Sequence, residues 1–487
     1  MRRSSHLMRT FLALLGLIAL VGASCGSDDG EDASGEDGGD DTCAVTTTDE
    51  GLDALLVPQN CSTIQEAVDA AEEGDLVLVD KGTYEEAVDV TTPNVTVRGV
   101  DRNEVILDGG FELENGIRAL ETEGVVVENM TARNYVSNGF FWTGSDNYRG
   151  SYLTAYRNGD YGIYAFDSYN GQFDHSLGWG SPDAGFYIGE CFPCNAVIDT
   201  VDSQYNGLGY SGTNSGGELY IINSSFSNNR AGIVPNSGSY ELCYPEREST
   251  LVGNVVHDNN YLDGPGISVS LLAQGNGILV PGGVRNTITK NLVYNHDRTG
   301  IGLVPFPESD ANDLAPSQDE WDTPCQDVRD EDIPPISDED CVLVELVGEG
   351  CVVMWNPYDN TVTENVVEGS GVADLAVGTV DLTETGETTD TLRNCFSGNT
   401  FATSAPNNLE TLAPCEGDGS GSWDDNPLDL IGLLGEPAEE PPADSYKTTP
   451  EPPAQENMPD ATSKAPEEFT GPETPDIASI QVPSKPA

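Results

Sequence analysis

Hydrophobic positions between Asn115 and Phe306 return on a fixed period. A small or polar residue, a glycine and a large apolar residue recur as Asn115-Gly116-Ile117, Asn138-Gly139-Phe140, Tyr161-Gly162-Ile163 and Ala184-Gly185-Phe186. The series continues as Leu208-Gly209-Tyr210, Ala231-Gly232-Ile233, Asn276-Gly277-Ile278 and Thr299-Gly300-Ile301. Successive glycines lie 23 or 24 residues apart, except for one step of 45 between Gly232 and Gly277. Short units that cannot bury an apolar face alone, repeated in this way, predict a solenoid. The long step is one coil with inserted loops.

Stacked coils turn equal offsets from the glycine into columns. The position after the glycine is always large and apolar, from Ile117 and Phe140 to Ile278 and Ile301. Two residues further on stand Ala119, Trp142, Ala165, Ile188, Gly212, Pro235, Val280 and Leu303. Strand alternation sends both columns inward. The position between them then faces out, and it holds Arg118, Phe141, Tyr164 and Tyr187. Such a row predicts a flat aromatic strip suited to a sugar polymer, although aromatics favour strands whatever they touch. Three residues further on stand Glu121, Gly144, Asp167, Glu190 and Asn214. Asp167 and Glu190 are neighbours there, a carboxyl pair for glycan cleavage or for Ca²⁺, or else ordinary turn residues. A further column, Asn223, Asn254, Asn291, Asn365 and Asn399, predicts an internal asparagine ladder.

Upstream of the repeat, Ser62-Thr63-Ile64-Gln65-Glu66 opens a short helix with a capping box. Ile64, Ala67, Val68 and Ala71 give it one apolar face, and Gly74 ends it. Strand-like runs follow at 75–79, 94–97 and 105–107, with Gly82-Thr83-Tyr84 between the first two. Residues 62–110 resemble the N-terminal end of right-handed parallel β-helix proteins of the pectin-lyase-like superfamily. The resemblance reaches to about residue 405. It implies an all-β, single-stranded right-handed parallel β-helix whose first coil is plugged by the helix. For an enzyme of this fold it implies lyase or hydrolase chemistry on a polysaccharide.

The coils are interrupted near 239–275 and again near 307–350. Long loops on a rigid scaffold are frequent carriers of function. The scarce basic residues Arg230, Arg247, Arg285, Lys290 and Arg298 gather there, beside His257 and His296. Lyases of the resembled family use Lys or Arg as a base, so Glu241 and Arg247 join Asp167 and Glu190 as catalytic candidates. Tyr240, Glu246, His296 and Arg298 lie in the same region. The family's Asp-Pro-His-Asp epimerase motif is not found, and Asp174-His175 is a faint echo of it. Loop-pinning ion pairs are the alternative role for this cluster.

The chain begins with Arg2, Arg3 and Arg9 and an apolar run from Phe11 to Ala23, the pattern of a signal peptide over residues 1–24. Val21-Gly22-Ala23-Ser24-Cys25 resembles a bacterial lipobox and implies lipidation at Cys25. Residues 25–42 read as an acidic disordered tether, 43–416 as the β-helix, and 417–487 as a Pro/Glu-rich disordered tail. Asp429–Leu434 is a short apolar piece of that tail, expected to dock on the last coil. The location expected is the extracytoplasmic face of the cell membrane, held by a lipid, or else secretion.

Ten cysteines remain after Cys25. Proximity pairs Cys43 with Cys61, Cys191 with Cys194, Cys325 with Cys341 and Cys395 with Cys415, leaving Cys243 with Cys351. Cys191-Phe192-Pro193-Cys194 has no helix behind it, so a structural disulfide is expected there. Acidic residues number 83 against 20 Lys and Arg. That balance excludes nucleic acid as a partner, because phosphates need basic partners. No metal-ligand set is legible, and a monomer is expected. Two functions stand. One is a surface protein that binds a polysaccharide and, if an enzyme, cleaves it. The other is a non-catalytic envelope protein for adhesion or assembly.

Overall fold

The inward columns form as the period requires. In the computed structural model, which describes residues 43–309, 325, 352–379, 388–434 and 439–486, each regular coil contributes one strand to a front sheet and two to a back sheet. Ile163–Phe166, for example, lies in front, and Gln172–Asp174 and Leu177–Trp179 lie behind. All these coil-to-coil pairings are parallel, and the turns rise as a right-handed helix. The front sheet runs from Val88–Val90 to Ser404–Ala405.

Ile117, Phe140, Ile163, Phe186, Tyr210, Ile233, Ile278 and Ile301 stack in register along the front sheet. All are buried. Each large apolar side chain so placed contributes about 1.5–3 kcal/mol. The repeated glycine has its own cause. A Cβ at Gly162 would lie 2.6 Å from the carbonyl oxygen of Gly185, one coil on. Gly116, Gly139, Gly209, Gly232 and Gly277 meet the next glycine's carbonyl in the same way.

The asparagine ladder is present, with a correction. Asn254, Asn291, Asn365 and Asn399 bond side chain to side chain at 3.0 Å. Glu410 closes the series by accepting from Asn399 Nδ2 at 2.9 Å. Asn223 is outside it: its backbone is left-handed and its amide reaches Asp199. Ser224 takes the ladder position, its N–H donating to Asn254 Oδ1 at 3.1 Å. Two more ladders exist, Asn206-Asn229-Asn259 and Asn286-Asn360-Asn394. At the N-terminal end, helix Ile64–Ala70 is capped by Thr63 and buries Ile64, Ala67 and Val68 against the first coil.

Cys43–Cys61, Cys191–Cys194 and Cys395–Cys415 are bonded as expected. Cys243 bonds Cys325, which replaces both remaining expected pairs. Sequence proximity misleads here because the inserted loops meet in space, 82 residues apart in the chain. Cys341, Cys351, Cys25, the signal segment, the tether and most of the second insertion lie outside the described residues.

The C-terminal stretch is not a free tail. Leu428 packs against Ala373, Ala376 and Ala405, and Leu430 meets Gly378. Residues 439–486 then run over the back sheet as irregular chain, with a 3₁₀ turn at Ser445–Thr448, which their composition does not foretell. They are held by side-chain donors of the coils, so no apolar core of their own is needed. Among the described residues no helix is long and apolar enough to cross a membrane.

Candidate functional site

The outward column on the front sheet pairs Arg118, Phe141, Tyr164, Tyr187 and Ser211 in register. The Phe141 and Tyr164 rings stack at 4.6 Å. Tyr161, from the turn before Gly162, stacks on Tyr164 at 4.3 Å with planes 4° apart. Tyr187 lies tilted beyond, 4.8 Å from Tyr164 and 4.9 Å from Tyr161. Phe141, Tyr161 and Tyr164 are partly exposed. Tyr187 is 1% exposed, and the other rings stack on one another, so the expected flat strip is instead a short pile of rings. Arg118, at the other end, is held by Asp89 through two bonds of 2.9 and 3.0 Å.

The loop that covers Tyr187 brings a carboxyl with it. Tyr187 Oη donates to Glu241 Oε2 at 2.5 Å. Glu190 Oε1 accepts the Leu242 N–H at 2.8 Å, and Asn214 Nδ2 donates to the Glu241 carbonyl at 2.7 Å. Two residues on, Cys243 is stapled to Cys325. Ser239 is held by Glu308, which also accepts from Trp355 Nε1 at 2.6 Å. The loop therefore delivers Glu241 to a fixed place.

More acids converge on the same end. Tyr161 Oη donates to Asp183 Oδ2 at 2.7 Å. Burial pushes the Asp183 carboxyl far up, and the charge of Asp160 on the preceding coil adds to it. Burial raises Asp160 too. Glu241 is partly exposed as a residue, but dense packing around its carboxyl pushes it well up. Its hydrogen bond from Tyr187 opposes that shift, while Glu190 and Asp183 add to it. Glu241 and Asp183 therefore hold protons at a pH where ordinary carboxylates have lost them. A protonated acid at the end of a partly exposed aromatic row is placed to donate a proton.

The expected catalytic residues separate. Glu241 reaches the aromatic row, and Glu190 supports it from behind. Asp167 accepts from Tyr169 Oη at 3.2 Å and lines a groove of about 750 Å³ with Glu121, Glu123 and Asp146. The whole column from Glu121 to Asn214 has left-handed backbone, φ between 43° and 56°, so a turn explains it. Arg247 is fully buried, 3.8 Å over the Phe192 ring, and donates to the Tyr244 carbonyl. That makes it a loop pin. Glu246 and His296 are buried in the coil interior. Asp174 lies on the back sheet, where Arg149, Ser151 and His175 donate to it.

Asp160, Tyr161 and Asp183 are additions to the expected set. A signal for them exists in the repeat. Asp160 and Asp183 occupy the same offset, two residues before Gly162 and Gly185, and form adjacent acids in one column. Among the described residues no group of three or more His, Cys, Asp or Glu side chains is arranged to hold a metal ion.

The family model described as "Right handed beta helix region" matches residues 138–305. No curated protein sequence matches the chain. Among solved structures, the A-module of mannuronan C-5 epimerase AlgE6 from Azotobacter vinelandii is 15% identical, with a TM-score of 0.43 over 70% of this chain and 94% of that one. An alginate lyase from Paenibacillus sp. str. FPU-7 is 14% identical, with a TM-score of 0.38 over 49% and 87%. The Dettilon tailspike protein gp208 is 10% identical, with a TM-score of 0.37 over 72% and 62%. The coil stack itself, together with the family model that spans its regular turns, makes this chain a right-handed parallel β-helix.

Proposed function

We propose that the chain binds an extracellular or cell-wall polysaccharide along the front sheet, and that Glu241 supplies proton transfer to it. The observation that carries this reading is the stacked row Phe141-Tyr164-Tyr161 ending at the Tyr187–Glu241 hydrogen bond. Tyr164 is stacked on both Phe141 and Tyr161, so the row meets a sugar polymer with an apolar band of ring edges. The protonated carboxyls at one end offer a general acid for a lyase or hydrolase. The same reading places the chain outside the cytoplasm, lipid-anchored through Cys25, in keeping with its disulfides. Calcium at the acidic groove belongs to this proposal and not to the geometry described.

The test uses a panel of polyuronates and neutral glycans. Retention of one class is expected, and Tyr164→Ala should weaken it about tenfold, the scale of one lost ring contact. Equal retention by Tyr164→Ala would remove the row from the proposal. Unsaturated products would identify a lyase and new reducing ends a hydrolase, each lost in Glu241→Gln. Binding without either product favours the non-catalytic reading, an envelope protein for adhesion or assembly.

A further inference from the structure

The back sheet carries a second row of large side chains, and a different segment of the chain lies on it. Trp179 Nε1 donates to the Pro450 carbonyl at 2.7 Å. Arg157 Nε donates to the Thr449 carbonyl at 2.6 Å. Asn103 Nδ2 donates to the Gln455 carbonyl at 2.9 Å, and Arg102 reaches the Glu456 carbonyl at 3.3 Å. Arg98 donates to the carbonyls of Ala461 and Lys464. Asn129 Oδ1 accepts the Met458 N–H at 2.7 Å.

The chemistry on the two sides matches. The segment reads Thr449-Pro450-Glu451-Pro452-Pro453-Ala454-Gln455-Glu456-Asn457-Met458-Pro459. Its prolines lack N–H groups, so it cannot add a β-ladder strand. It offers carbonyl oxygens from an extended backbone, and the coils answer with indole, guanidinium and amide donors. Thr449 and Met458 bury their side chains, and a Cβ on Gly180 would strike Thr449. The chain is strongly acidic, yet Arg98, Arg102 and Arg157 all spend donors on this one peptide.

These contacts join groups far apart in the chain, so a segment of the same sequence on another chain offers the same acceptors. The bonded partners are 271 to 366 residues apart in sequence. The last cysteine is Cys415, so no disulfide fastens the segment. We propose that this face is a peptide-docking groove that accepts the Thr449–Ala461 segment of a second copy of the chain, so that neighbouring rods exchange tails. A second copy is the occupant favoured, because its tail is the one sequence shown to satisfy these donors.

Photo-crosslinking of the full chain tests this. Met458→p-benzoylphenylalanine places the probe in the segment, and a size-tagged second copy serves as acceptor. Crosslinks between copies are expected, rising in proportion to chain concentration. They should rival those within one chain near roughly 1 mM, the effective concentration of a flexibly tethered segment. Trp179→Ala with Arg157→Ala in the acceptor should abolish them. Trp179→Phe, which keeps a ring and removes the donor, should reduce them severalfold if the double variant does not fold. Crosslinks confined to single chains at every concentration would overturn the proposal, as would equal yield on the acceptor variants. Neither outcome touches the front sheet.

Discussion

Glu246 is fully buried and accepts from Ser249 Oγ at 2.8 Å and Asn286 Nδ2 at 2.7 Å. Burial pushes its carboxyl up to about 8. Burial shifts Asp183 and Glu241 in the same direction. The folded chain therefore holds more protons than the unfolded chain, whose carboxyls titrate near about 4. Stability from these groups is complete below that range and is lost as pH rises towards about 8. Calorimetry should find a lower Tm at pH 8.5 than at pH 5, and Glu246→Gln should flatten the slope. A Tm that climbs over this interval would contradict the assignment. At this scale Glu241 was legible as an acid in an inserted loop. Asp160 and Asp183 were less so, because their offset holds Ser137, Gly207 and Arg230 in other coils and shows no single chemistry. Burial, which sets their behaviour, is not written in residue type.

The loop from Ser239 to Glu246 shows why elements were easier to foresee than their contacts. Its existence follows from the broken period, but its anchors do not. Glu190 looked catalytic because it stands beside Asp167 in a column. The fold instead spends its carboxylate on the Leu242 N–H. Glu190→Ala should leave that donor without its partner, at a cost of about 1–3 kcal/mol. Glu241 should then lose its fixed place, and Tyr187 should become accessible. Faster amide exchange at Leu242 and nitration of Tyr187 are the measurements. Glu190→Gln keeps an acceptor oxygen and should restore protection at both. Protection unchanged in Glu190→Ala would show that Asn214 and the Cys243–Cys325 staple hold the loop without it. The ladder carries the same lesson in miniature. Asn223 and Ser224 differ by one position, and only inter-coil register decides which of them faces inward.

Across the whole molecule, the coil stack was legible because a period repeated many times leaves one way to bury its apolar columns. The docked tail was not, because a Pro/Glu-rich composition says only that no core forms within it. Its order comes from the coils, through Arg98, Arg102, Arg157 and Trp179. Removing residues 439–487 should therefore act on one side of the rod. The Arg98–Glu128 pair, at 2.6 Å and nearly buried, would meet water. Trp179 would lose its acceptor, and Met458 and Ala461 would no longer cover the coils. Hydrogen exchange should quicken in the back strands around Arg98, Glu128 and Trp179, and Tm should fall by several degrees. The front row from Phe141 to Tyr187 should keep its protection and its glycan affinity, since its described contacts are made by coils and the 239–246 loop. Loss of front-sheet binding on truncation would mean that the two faces are coupled through the shared core. Unchanged exchange on the back sheet would mean that the tail rests there without stabilising it.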